Sequence, residues 1–129
     1  MPADVLHERH YTVDQANAAR AWVGERLERI QAALASLRTP GVGDALEDLD
    51  VASGGAYPGR EAATGALGML LAASELEAMD IVLRDADRGL VDFPSMRDGR
   101  EIYLCWQQGE EDIAFWHDPD AGFAGRRPI

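Results

Sequence analysis

The chain has 129 residues, 47% of them hydrophobic and 27% charged, with a formal net charge of −11 and a single cysteine. That length fits one domain with a sizeable core, and one cysteine excludes an internal disulfide and suits a reducing cytosol. The negative balance disfavours nucleic acid and anionic membranes as partners.

The opening residues, "MPADVLHERHY", lack the apolar core of a signal peptide. No apolar run reaches the roughly 20 residues that span a bilayer. A cytoplasmic protein is the expectation. "VLHERHY" reads as an edge strand, its histidines and charges suiting an exposed edge.

Thr12 and Gln15 have the spacing of a capping box, with Tyr11 placed to staple the first turn. Apolar residues then recur at Ala16, Val23, Leu27, Ile30, Leu34 and Leu37, which predicts a helix over about 13–38. Thr39-Pro40-Gly41 stops it. Residues 40–60 read as a glycine- and proline-rich connector with a short helical turn near 44–49. A second helix is expected over about 60–79, with Leu67, Leu70, Leu71, Leu76 and Met79 as its apolar face. Gly65 and Gly68, with Ala62, Ala66 and Ala73, form a small-residue seam at which the two helices can pack antiparallel.

After Asp80 the period changes to that of strands. "DIVLRD" and "GLVDFP" form a first hairpin around "ADR", with Pro94 ending its second strand. "EIYLCWQ" and "IAFWH" form a second hairpin around "QGEED". Alternation puts Ile102, Leu104 and Trp106 on one face and Tyr103 and Cys105 on the other. Along the partner strand, Ile113, Phe115 and His117 share a face, opposite Ala114 and Trp116. Both faces are apolar, and helices cover only one. The other face needs the tail, a ligand or a second copy of the chain, which points to a homodimer.

The expected fold is α+β, a single domain over 1–129. An antiparallel helical hairpin (about 13–79) packs on a small antiparallel sheet of about four strands (β-hairpins about 80–118), with a C-terminal tail (119–129) across it.

Few groups of residues carry chemistry. His7 and His10 in "HERH" have the wrong spacing for a zinc-protease helix and read as solvated or edge histidines. Asp85, Asp87, Arg88 and Asp92 resemble part of a calcium loop but lack its later glutamate, so a salt-bridged turn is expected. Cys105 sits mid-strand among aromatics, where a buried thiol is inert.

The richest segment is "FWHDPDAGFAGRR", residues 115–127. His117 beside Asp118 is a weak metal candidate and a candidate general base. Arg126 and Arg127 either clamp an anionic ligand or neutralise Asp118 and Asp120. If a pocket exists, it is expected where the last hairpin meets the tail. Trp106 and Trp116 would wall it, and His117, Asp118, Arg126 and Arg127 would contact a ligand.

The runs "RHYTVDQANAARAWV" and "DADRGLVDFPSMRDGREIYLCWQQGEEDIAFWHDPDAGFAGRRPI" resemble the DUF2203 family of small prokaryotic proteins. The resemblance implies a bacterial cytosolic protein. It supplies no established activity and no catalytic residues. Two readings follow from the residues. One is a non-enzymatic binding or assembly module acting as a homodimer, with no cofactor. The other is a small-molecule or metal-dependent enzyme with its pocket at the tail. A small molecule or a protein is the expected further partner, and nucleic acid and membrane are not.

Overall fold

A computed structural model of the chain describes residues 5–38 and 57–129. The helical turn expected near 44–49 lies outside the described residues.

Helix α1 runs Val13–Leu37 and starts at the expected capping box. Thr12 Oγ1 accepts from the Gln15 amide at 3.1 Å, and the Gln15 side chain accepts from the Thr12 amide at 2.9 Å. Ala16, Val23, Leu27, Ile30 and Ala33 make its buried stripe. Helix α2 runs Tyr57–Ala78. It ends in a Schellman motif: the Ile81 amide bonds Leu76 O, and the Asp80 amide bonds Glu77 O. Asp80 takes the left-handed position usually given to glycine, with φ 61°. Arg26 of α1 reaches Glu75 at 2.8 Å, and Ala33 shares a groove with Gly65 and Gly68. The two helices therefore run antiparallel.

Five strands follow in meander order, each antiparallel to the last: β1 (Val82–Asp85), β2 (Leu90–Arg97), β3 (Arg100–Gln107), β4 (Phe115–His117) and β5 (Arg127–Pro128). The fold is α+β, two helices against one sheet. The fifth strand comes from the tail, which pairs with β4 through Phe115↔Pro128 and Trp116↔Arg127.

Pro94 does not end β2. The strand continues to Arg97 and turns into β3 through Asp98 and Gly99, both at positive φ (53° and 75°). Two such residues are what a tight hairpin turn of the right twist requires. Pro94 is tolerated because β1 pairs only as far as Asp92, so no neighbour there asks for its missing N–H. Its carbonyl faces the same open side and accepts the Tyr11 amide at 2.7 Å. Ser95 Oγ donates to Tyr11 O at 2.6 Å. The N-terminal segment thus docks by Tyr11 beside β2, and residues 5–10 form no strand.

The inner face of the sheet carries Val91, Phe93, Ile102, Leu104, Trp106 and Trp116, packed with the α1 stripe into the main core. The register Leu104↔Trp116 places Trp116 on this face, and Tyr103↔His117 and Cys105↔Phe115 place His117 and Phe115 on the outer one. Ile113 leaves the expected alternation because β4 begins only at Phe115. Ile113 drops into the core and donates its amide to Asn17 of α1 at 2.8 Å.

Of the apolar face expected for helix α2, Leu76 and Met79 turn to the core and the three other leucines do not. Ala72 and Leu76 are its buried residues in the core, with Met69, Ala73 and Met79 packed beside them. Leu67, Leu70 and Leu71 point outward.

Candidate functional site

The outer face of the sheet is not the second apolar face that alternation suggests. Asp92↔Cys105 pairs β2 with β3, and His117 reaches this point from β4. Asp92, Cys105 and His117 are each only 1% exposed. Their ligating atoms all lie within 4.8 Å of one another. His117 Nδ1 donates to Asp118 O at 2.7 Å, and Nε2 faces Asp92 Oδ2 at 2.9 Å. Arg84 Nε donates to the same carboxylate oxygen at 2.8 Å. Asp92 Oδ1 is buried and accepts no hydrogen bond from a described residue.

An oxygen faces each ring nitrogen of His117, so one proton lies on Nδ1 toward the Asp118 carbonyl and another is shared between Nε2 and Asp92 Oδ2. Burial works against that charge. The bond to Asp92, the Asp118 carbonyl and the Asp92 charge outweigh burial and raise the pKa above the usual histidine value. Burial, reinforced by the Asp92 charge, pushes the Cys105 thiol up to about 12. A thiol held that high is protonated near neutral pH.

Around this trio lie further charges. Arg84 Cζ stands 5.0 Å from the Tyr103 ring centroid. Arg126 is held by Glu110 at 2.8 Å and lies over Phe115 at 3.9 Å and Phe123 at 4.6 Å. Asp118 pairs with Arg100. Toward the N-terminal segment, His7 Nε2 bonds Tyr103 Oη at 2.8 Å, and His7 Nδ1 lies 3.4 Å from Asp80. His10 Nε2 bonds Glu101 at 2.8 Å. Neither histidine is free in solvent. Burial opposes the Glu101 charge, but the Leu6 and His7 amides and His10 hold its carboxyl below the usual range.

The residues expected to line one pocket are therefore divided. Trp106 and Trp116 lie in the core on the inner face, where Trp106 Nε1 donates to Glu110 O at 3.0 Å. Arg127 stacks over Trp116 at 5.3 Å. His117 and Arg126 belong to the outer face, and Asp118 stands at the end of β4, tied to Arg100. Asp87 pairs with Arg38 in the β1–β2 turn, whereas Asp92 lies outside that turn. A cavity of about 440 Å³ opens between the N-terminal segment, the end of α2 and β1, with His7, Glu77 and Asp80 on its polar side and no tail residue in its lining.

Asp92, Arg84 and Tyr103 are the site residues that spacing alone does not find. One signal was present: Asp92 is the only charge in the apolar run "GLVDFP". A carboxylate there needs a partner once the strand is buried.

The same chain can be set against known families. A family model described as "Uncharacterized conserved protein (DUF2203)" matches residues 9–129. The chain belongs to the DUF2203 family. The match covers both described helices and all five strands of this DUF2203 protein, including the tail that closes the sheet. No curated protein and no solved structure matches it. No helix among the described residues is long and apolar enough to cross a membrane.

Proposed function

We propose that this DUF2203 protein is a non-enzymatic assembly module that works as a homodimer through the outward face of α2. One observation carries the reading: Leu67, Leu70 and Leu71 are 58%, 63% and 55% exposed on one side of the helix. A groove of about 350 Å³ between the helices is lined by Arg29, Ala32, Ala33 and Ser36 of α1 and Gly65 and Gly68 of α2, all small but the arginine. A Cβ added at either glycine would meet nothing within 4 Å, so packing within the chain does not require them.

A leucine ridge next to a small-residue groove is self-complementary. A two-fold axis lays the ridge of one copy into the groove of the other. Fully burying an exposed leucine contributes about 1.5–3 kcal/mol. Burying the exposed halves of three leucines in each of two copies then contributes roughly 5–10 kcal/mol. The cost of association is of similar size, roughly 4–15 kcal/mol, so the leucines offset it and the groove contacts must supply the net affinity. A net charge of −11 per copy opposes this contact, so salt should tighten it.

Sedimentation equilibrium tests the reading. A monomer–dimer equilibrium that strengthens with salt and shifts to monomer in Leu70→Glu is expected. A wild-type protein that stays monomeric at ~100 μM overturns it.

A further inference from the structure

We propose that Asp92, Cys105 and His117 form a binding site for a zinc-type transition-metal dication on the outer face of the sheet. Four observations converge on it. The donor set is a thiol, an imidazole and a carboxylate, brought from three adjacent strands to within 4.8 Å. This combination of soft and borderline ligands favours zinc or cobalt over magnesium or calcium. In a four-coordinate site with bonds of about 2.0–2.3 Å, ligand atoms stand roughly 3.3–3.8 Å apart. Side-chain rotations of about an ångström close the cluster to that size. His117 Nε2 and Asp92 Oδ2, now hydrogen-bonded at 2.9 Å, must instead open by roughly 0.4 Å or more to admit the ion.

The second observation is the unused oxygen. Asp92 Oδ1 belongs to a residue that is 99% buried and has no hydrogen-bond partner among the described residues, with the Cys105 thiol lying against the same carboxylate. An orphaned carboxylate oxygen costs about 1–3 kcal/mol or more. A structural pair with His117 through Oδ2 gives no reason to keep it, whereas a cation does.

The third is the orientation of His117. Its Nδ1–H is fixed on the Asp118 carbonyl at 2.7 Å, which leaves Nε2 as the ligating atom aimed at Asp92. A backbone acceptor behind the far nitrogen is the usual support of a metal-bound histidine.

The fourth is charge. Arg84 and Arg126 stand beside the cluster, and an added dication would be repelled if nothing else changed. Binding, however, releases the proton on Cys105 Sγ and the proton on His117 Nε2. Two protons leave and one dication enters, so the total charge at the site is unchanged. The metal–sulfur and metal–nitrogen bonds replace the S–H and N–H bonds, and no oxidant or reductant is involved. Three protein ligands leave a fourth position for water or for the second oxygen of Asp92.

The test is a Co²⁺ titration of the full chain, with metal added to the folded protein and, separately, before refolding. One equivalent should bind with a thiolate-to-metal charge-transfer band in the near ultraviolet, and Zn²⁺ should displace it. Cys105→Ser should remove the band. His117→Gln and Asp92→Asn should each lower affinity by more than the roughly 10–100-fold typical of second-shell changes. His10→Gln should leave both unchanged. If a site variant fails to fold, the wild type still decides: Zn²⁺ should protect Cys105 from alkylation in mild urea. Absence of the band under both protocols, a band that survives Cys105→Ser, binding lost in His10→Gln, or no protection of the thiol overturns the proposal. None of these outcomes bears on dimerisation, which is read separately by sedimentation.

Discussion

Tyr11 ties three parts of the molecule together, and its side chain separates two kinds of energy. The ring packs edge-on against Phe93 at 5.2 Å, and the hydroxyl donates to Met79 O at 2.7 Å, just past the end of α2. The residue is buried in the main core. Tyr11→Phe removes only the hydroxyl and leaves the Met79 carbonyl without this donor, a loss of about 1 kcal/mol. Tyr11→Ala also empties the ring site, which adds about 3–5 kcal/mol. The total is a third or more of the roughly 5–15 kcal/mol that stabilises a domain. A double-mutant cycle with Phe93→Leu should show a coupling of about 0.5–1.5 kcal/mol for the ring pair. Urea unfolding followed by tryptophan fluorescence is the assay, since Trp106 and Trp116 lie in the same core. A Tyr11→Phe cost equal to that of Tyr11→Ala would place the energy in the hydroxyl and refute the reasoning. So would a Tyr11→Ala cost below about 1 kcal/mol, which would mean that the N-terminal segment is not docked.

Two further outcomes follow from named contacts. Glu101 has its carboxyl pKa held below the ordinary 4.5, so its contribution is present above that value and is lost as pH falls through the lower folded pKa. Glu101→Gln should cost about 1.5–3 kcal/mol at pH 7, and the wild-type urea midpoint should fall, as pH drops below the ordinary 4.5, by an amount that the variant lacks. Gly68→Ala adds a Cβ into open space on α2. It should raise monomer stability by about 0.5–1 kcal/mol through helix propensity and yet weaken the dimer, as read by thermal melts and sedimentation together.

Features set by near neighbours in sequence were legible without coordinates. The capping box at Thr12 and Gln15 depends on residues three apart, and the strands of the meander follow one another with short turns. The face of α2 was legible only in part. Leu76 and Met79 reach the core as their spacing suggests, but Leu67, Leu70 and Leu71 stay exposed while Ala72 is buried in their place. Only the partner helix decides between two apolar sides. Pro94 misled for a similar reason: its cost depends on whether a neighbouring strand asks for its N–H, and β1 stops short of it. The Asp98-Gly99 turn did leave a local signature, and reading the strand as ended at Pro94 hid it. Asp92 and His117 stand 25 residues apart, and the β2–β3–β4 registers that join them are properties of the folded sheet.

The strand that the tail contributes bears on aggregation. A sheet with a bare edge can template further strands and grow into fibrils. Here β4, which would otherwise form that edge, is sealed by two residues, and the second is a proline with no N–H to offer an incoming chain. The Ile129 amide is also occupied, by Ala114 O at 2.9 Å. At the opposite side β1 has only four residues and an irregular register. Polymerisation through the sheet is thus discouraged at both margins.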